Sequence, residues 1–308
     1  MLSDEEVRCY RRAGEIARKV LKLALDVVEP EKPLIEICER LEQYIIHEGG
    51  KPAFPINISI NEIAAHYTSP PDDVRVVPPS SVVKVDVGVH VNGYIVDAAI
   101  TLSFDPKATS LVMACAKALD EAIKMFRVGV RLGDVGRVIS KVIRDHGYRP
   151  IENLTGHLIA RYRLHAGKSV PNVYIPSSEK VNEGEVYAIE PFSTSGIGRV
   201  RDGSEVYIFS LILDRKKMKK IKDKEVLEVL NFINSEYHAL PFTPRWLVKK
   251  YSRDVVEHIM DELRSRKLVI QYPVLIEVSG GIVAQFEDTV IVWRDHIEPL
   301  VGTLDLVL

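Results

Sequence analysis

Asp86 and Asp97 sit where acidic side chains are uncommon, on the two arms of an apolar, Val- and Ile-rich stretch from Val82 to Ile100. The arms meet at Asn92-Gly93, and Asn-Gly between β-branched runs is the strongest short-range signal for a hairpin. A two-residue turn there sets Val91 opposite Tyr94, Gly88 opposite Asp97 and Asp86 opposite Ala99. The two carboxylates then share one face as diagonal neighbours, about 7–8 Å apart at the backbone. From there they can converge on a cation, and Gly88 leaves room between them. Acids are depleted in strands, and two on one face repel without a partner. A solvated outer face is the competing reading of the hairpin taken alone.

Three further residues join this pair. His157 lies in a segment from Asn153 to Lys168, Glu190 ends the run Glu185-Val186-Tyr187-Ala188-Ile189-Glu190, and Glu287 stands in Gln285-Phe286-Glu287-Asp288-Thr289. Each carboxylate is in or at the end of an apolar strand pattern, where a lone acid is costly. Oxygen and imidazole donors without thiolate suit Mn, Fe, Co or Zn. Four carboxylates are more charge than one divalent ion balances. Two ions about 3.5–4 Å apart, bridged by shared carboxylates, fit the set. Such a pair activates a bridging water and polarises a carbonyl, which is chemistry for amide or ester hydrolysis. Singly, His157 reads equally as a satisfied core histidine, Glu190 as an exposed strand end and Glu287 as part of a solvated turn. The inference rests on the set.

The elements that must carry these residues follow in order. Ser3 with Glu6 forms a capping-box pattern for a first helix that Pro30 stops. A second helix runs from about Leu34 to Gly49-Gly50. A short strand pattern spans Phe54 to Ile60, and a Pro-rich connector covers Thr68 to Pro79. After the hairpin come helices from Leu111 to Phe126 and from Asp134 to Gly147, then the histidine segment and the acidic strand. Helix, glycine, histidine segment and acidic strand thus occur twice in the same order, which suggests an internal duplication. A strand pattern from Val206 to Leu213 follows. From Arg215 to Lys224 seven residues are basic, and helical periodicity over Ile221–Ser235 and Arg253–Arg266, with a turn over Leu240–Trp246 between them, marks an insertion over 215–270. Strand patterns return at Val274–Val278 and at Ile282–Trp293. The expected division is a catalytic domain of residues 1–214 and 271–308 plus the insertion.

The totals narrow the class. A chain of 308 residues with 46% hydrophobic residues can bury a full core. A formal net charge of -2 argues against a dedicated nucleic-acid binder or a polybasic membrane protein. No apolar run reaches the roughly 18 residues of a membrane span, and the acidic N-terminus does not read as a signal peptide. Cys9, Cys38 and Cys115 form no CxxC pattern and read as idle thiols in a reducing cytoplasm.

Several motifs resemble the signatures of the methionine aminopeptidases. They are Asn61-Glu62-Ile63-Ala64-Ala65-His66-Tyr67-Thr68, Lys84-Val85-Asp86-Val87-Gly88, Asn153-Leu154-Thr155-Gly156-His157, Leu164-His165-Ala166-Gly167-Lys168, Ala188-Ile189-Glu190-Pro191-Phe192 and Gln285 to Thr289. The resemblance spans essentially the whole chain. The helical insertion resembles the one that marks the type II subclass, and the start of the chain resembles archaeal members. This implies an α+β pita-bread fold, with two pseudo-symmetric α-β halves around one dinuclear site and a winged-helix-like insertion. It further implies that Asp86 chelates one of two divalent metal ions (Co, Mn, Fe or Zn), that Asp97 and Glu287 bridge both, and that His157 and Glu190 complete the second. Glu190 would also act as general base, within reach of the bridging water. His66 and His165 would flank the scissile bond, one holding the peptide and the other stabilising the tetrahedral intermediate or aiding the leaving amine. Phe54 and Leu164 sit where members line the methionine pocket, an apolar slot for an unbranched thioether.

The activity implied is removal of the initiator methionine from nascent proteins with a small, uncharged second residue, by a cytoplasmic monomer, with the ribosome as a further partner. An Xaa-Pro aminopeptidase or prolidase shares the fold and a five-ligand pattern. Those enzymes usually carry an extra N-terminal domain, for which the roughly 80 residues before Asp86 are too few. A non-catalytic binding module on the same fold ranks last, because all five ligand positions are filled. The insertion also resembles a DNA-reading winged helix, but Asp254, Glu257, Asp261 and Glu262 spoil the basic face that nucleic-acid readout needs. A wall for the cleft is the expected role.

Overall fold

A computed structural model describes residues 2–176, 179–218 and 221–307. Lys219 and Lys220 of the basic run lie outside the described residues.

Two helix pairs flank the strands that carry the site. The first helix, α1 (Asp4–Val27), starts at the expected capping box, in which Ser3 and Glu6 each accept the other's backbone N–H. Its buried stripe, including Ile16, Val20 and Leu21, packs on the hairpin. It is followed by α2 (Leu34–His47). In the second half α3 (Thr109–Met125) packs against α4 (Leu132–Asp145), and α3 lies over the strands Phe192–Thr194 and Val283–Gln285. One continuous apolar core joins the helices to the strands beneath.

The hairpin pairs as Asn-Gly dictates. Strands Val82–Val91 and Tyr94–Ser103 meet with Val91 opposite Tyr94, Gly88 opposite Asp97 and Asp86 opposite Ala99. Strand Asn57–Ile60 adds to its other edge, with Asn57 opposite Asp86. In the second half a five-stranded sheet places Thr155–Ile159 beside Val186–Ile189, and that strand beside Asp288–Val292.

Two expectations are corrected here. The run Ile282–Trp293 is not one strand. It divides into Val283–Gln285 and Asp288–Val292, which belong to different sheets, with Phe286 and Glu287 at the break. Glu287 at the break lines the cavity, while Asp288 turns away and accepts the backbone N–H groups of Val301 and Thr303. The stretch Leu240–Trp246 is not all turn, since a short helix, Pro244–Leu247, begins within it.

The halves are fastened where the site lies. Ala99 and Glu287 exchange backbone hydrogen bonds of 3.3 and 3.0 Å. The Thr289 hydroxyl takes the Asp97 N–H at 2.8 Å and donates to the Asp97 carbonyl at 2.7 Å. Thr101 does the same for Gln285, at 2.9 and 2.6 Å. The acids of the first hairpin are thereby held against those of the second half through buried hydroxyls.

Helices Lys224–Tyr237, Pro244–Leu247 and Arg253–Ser265 gather around a second apolar cluster that includes Val229, Leu230, Ile259 and Leu263. They are reached from the long strands Val200–Leu211 and Val269–Glu277, which pair antiparallel.

Candidate active site

Every residue singled out from sequence lines one cavity of about 240 Å³: Asp86, Asp97, His157, Glu190, Glu287, His66, His165, Phe54 and Leu164. Asp86 and Asp97 project from the same hairpin face. Glu287 enters from the break between strands. His157 comes from a strand registered against Ala188, and Glu190 follows the end of that neighbouring strand.

Asp97, His157 and Glu287 offer ligand atoms that all lie within 4.8 Å of one another. The His157 Nε2 is 3.5 Å from Asp97 Oδ2 and 3.5 Å from Glu190 Oε1. Burial, with Asp97's charge next in weight, pushes the Asp86, Glu190 and Glu287 carboxyls well above the ordinary range. Burial pushes Asp97 up to about 7 and holds His157 down at about 4. Buried oxygens left over, Asp86 Oδ1, Asp97 Oδ1 and Glu287 Oε1, have no hydrogen-bond partner in the protein. Uncompensated buried carboxylates are strongly unfavourable. A multivalent cation removes that cost and uses those lone pairs, so the donor set fits a divalent metal.

His66 and His165 border this cluster in different ways. His66 is half-buried and adopts a left-handed backbone, φ 66°, a conformation found chiefly where surroundings enforce it. Its Nδ1 is 3.1 Å from the Pro273 carbonyl, and burial lowers its pKa to about 4. A carbonyl only accepts, so the hydrogen-bond network assigns the neutral ring's proton to Nδ1 and leaves Nε2 a bare acceptor. The Tyr272 ring meets His66 edge-on at 5.7 Å. His165 is exposed at the mouth, its ring 4.5 Å from that of His157.

Phe54 is 6% exposed and is pinned by a close approach of backbone. A Cβ on Gly88 would lie 2.3 Å from the Phe54 ring. Gly88→Ala is therefore expected to push Phe54 out of place. Overpacking costs of this kind reach about 1–3 kcal/mol, so KM should rise about tenfold while kcat and metal content change less. Steady-state kinetics and metal analysis of the variant check it.

Sequence reasoning missed other lining residues, among them Asn57, Phe192, Ile208, Pro241 and Tyr272. Tyr272 and Ile208 are on the long strands beside the insertion, and Pro241 is inside it. Their approach depends on how the insertion folds back, for which no local signal exists. Gln285 was visible in its motif, and it donates to Glu287 Oε2 at 3.2 Å.

Comparison with known proteins agrees with the geometry. Residues 8–293 match the model of metallopeptidase family M24. The chain is 42% identical over 292 residues to a methionine aminopeptidase of Methanothermobacter thermautotrophicus, covering 94% of this chain and 96% of that one. It is 44% identical over 292 residues to one of Thermococcus onnurineus, covering 94% and 98%. Among solved structures, a thermophilic Arx1 superposes with a TM-score of 0.84 at 15% identity, over 100% of this chain and 95% of that one. Methionine aminopeptidase from Thermotoga maritima gives 0.70 at 22% identity, over 97% of each. The chain belongs to metallopeptidase family M24 and has its pita-bread fold.

Proposed function

We infer that this chain is a methionine aminopeptidase, a metal-dependent exopeptidase that removes the initiator methionine from nascent proteins. One observation carries the reading: four carboxylates and an imidazole line a single cavity together with the apolar side chains of Phe54 and Leu164. An apolar lining accepts an unbranched thioether, while the cluster takes the peptide's first bond.

Asp86, Asp97, His157, Glu190 and Glu287 would hold two divalent ions drawn from Co, Mn, Fe or Zn, which when bound would supply Lewis acidity toward water and the scissile carbonyl. Glu190 receives the proton of the attacking water, for which its carboxylate must lie within hydrogen-bond reach. His66, with Nδ1–H committed to Pro273, accepts the peptide N–H on Nε2 and so orients the leaving amine. His165, at the mouth, donates to the oxygen on which charge develops. Phe54 and Leu164 hold the methionine side chain, and a small, uncharged second residue fits the narrow space that remains.

The same reading divides the chain into a catalytic unit, 1–214 and 271–308, and an insertion, 215–270, that walls the cleft through Pro241. It makes the enzyme a cytoplasmic monomer that meets its substrates near the ribosome, with no nucleic-acid readout. Among the described residues no helix is long and apolar enough to cross a membrane.

The test is release of methionine from a Met-Ala-Ser peptide by chelated protein to which Co, Mn, Fe or Zn is returned, beside an Ala-Pro peptide. Methionine release that requires metal, with the Ala-Pro bond intact, is expected. Cleavage of the Ala-Pro peptide alone would establish an Xaa-Pro aminopeptidase instead.

A further inference from the structure

Two residues outside the metal cluster, Tyr162 and His238, occupy backbone conformations that favour glycine, and their side chains are in contact. Tyr162 is the second central residue of a tight turn closed by hydrogen bonds of 2.9 and 2.8 Å between Ala160 and Arg163. Its φ is 54°, at a position where a positive φ favours glycine. His238 ends the insertion helix Lys224–Tyr237 with φ 56° and ψ -125°. It is the first central residue of a turn closed by Leu240 N–H to the Tyr237 carbonyl at 2.9 Å, the glycine position of a type II′ turn. The Tyr162 and His238 rings pack 4.3 Å apart at 57°.

The geometry points to a clasp: we propose that the Tyr162–His238 ring pair ties the insertion to the turn carrying Leu164 and His165 and so fixes the width of the methionine slot. Each strained residue leads within a few positions to a residue of the cavity wall, Tyr162 to Leu164 and His165, His238 to Pro241. The Tyr162 turn is docked at its tip as well. Tyr162 N–H donates to the Gly93 carbonyl at 2.8 Å and Arg161 Nε to the Asn92 carbonyl at 2.9 Å. A Cβ on Gly93 would lie 2.3 Å from the Tyr162 ring, so the ring rests on the hairpin's bare backbone. His90, buried, meets the same ring edge-on at 5.7 Å. The hairpin thus supports the ring from one side, and His238 packs on it from the insertion. Strain kept in two places that touch, beside a substrate slot, is the pattern of conformations retained for positioning rather than for stability.

The inference rests on the proposed aminopeptidase reading for its consequence but not for its structure, and the test separates the two. His238→Gly removes the ring and relieves the strained turn. Hydrogen exchange of residues 160–166, in the other segment, is measured together with melting temperature and with kinetics on a Met-Ala-Ser peptide. The clasp predicts about tenfold faster exchange at the Ala160, Arg163 and Ala166 amides, in line with the loss of one aromatic contact. It also predicts a melting temperature equal to or above wild type, and KM raised about tenfold with kcat little changed. Tyr162→Phe keeps the ring and should stay within about twofold of wild type in all three, whereas Tyr162→Gly should reproduce the His238→Gly exchange pattern. Unchanged exchange at 160–166 in His238→Gly, or a Tyr162→Phe variant as impaired as Tyr162→Gly, would overturn the clasp. Faster exchange in a protein that releases no methionine with any metal would uphold the clasp and defeat the aminopeptidase reading.

Discussion

Replacing His157 with alanine is expected to remove nearly all peptide turnover while leaving the fold standing. His157 is buried on the interior strand Thr155–Ile159, opposite Ser169 on one side and Ala188 on the other. Those pairings are made by backbone and survive the substitution. What is lost is the one imidazole among four carboxylates, with Nε2 directed at Asp97 and Glu190. Even partners one step outside a metal's own ligands are worth about 10–100-fold, so loss of a ligand should cost at least about 100-fold in kcat/KM. The metal content of the purified variant should fall with the activity. A histidine that merely filled the core would behave oppositely, with turnover kept and melting temperature lowered by the cavity left behind. Kinetics, metal analysis and thermal melting of the one variant decide between them.

The second large effect is on stability, at a site remote from the chemistry. Arg245 is 1% exposed and Glu42 4% exposed. Their side chains form a two-pronged pair, Arg245 Nη1 to Glu42 Oε2 at 2.7 Å and Nη2 to Oε1 at 2.8 Å. The remaining groups are satisfied too. Arg245 Nε donates to the Ser69 carbonyl at 2.8 Å, and Trp246 Nε1 and Ile56 N–H donate to Glu42 at 2.9 and 3.3 Å. The pair fastens the insertion to α2 and to the connector that leads away from His66. Arg245→Met strands a buried carboxylate, a change that costs about 3–5 kcal/mol. For a chain of this length that lowers the melting temperature by about 5–8 °C. Arg245→Met combined with Glu42→Leu removes both charges and should recover most of the loss, since apolar replacement of a whole buried pair is often neutral. A single variant that melts with wild type would show that the pair is solvated and dispensable.

What could be read in advance divides along physical lines. The hairpin register, and with it the convergence of Asp86 and Asp97, was legible because a two-residue Asn-Gly turn leaves the strands one way to pair. The N-terminus of α1 was legible because the Ser3–Glu6 capping box is a local device. Glu287 was found by its acidity in an apolar run, yet the break beside it was not. Continuous Val and Ile patterning looks the same whether a strand continues in one sheet or crosses to another. The long strands Val200–Leu211 and Val269–Glu277 extend beyond the shorter patterns seen in sequence, since distant pairing supplies what local propensity does not. Tyr272, Ile208 and Pro241 reach the cavity by that same distant pairing. Neither Tyr162 nor His238 could be suspected of a positive φ, since it is uncommon outside glycine and no turn signal in the sequence marks either position.

The central claim is that the buried acids and His157 exist to hold divalent cations, and an anomalous difference map from crystals grown with manganese or cobalt, collected at that metal's edge, tests it most directly. The account predicts strong density enclosed by Asp86, Asp97, His157, Glu190 and Glu287, beside the slot of Phe54 and Leu164. Density elsewhere on the chain with none among those five side chains would contradict it.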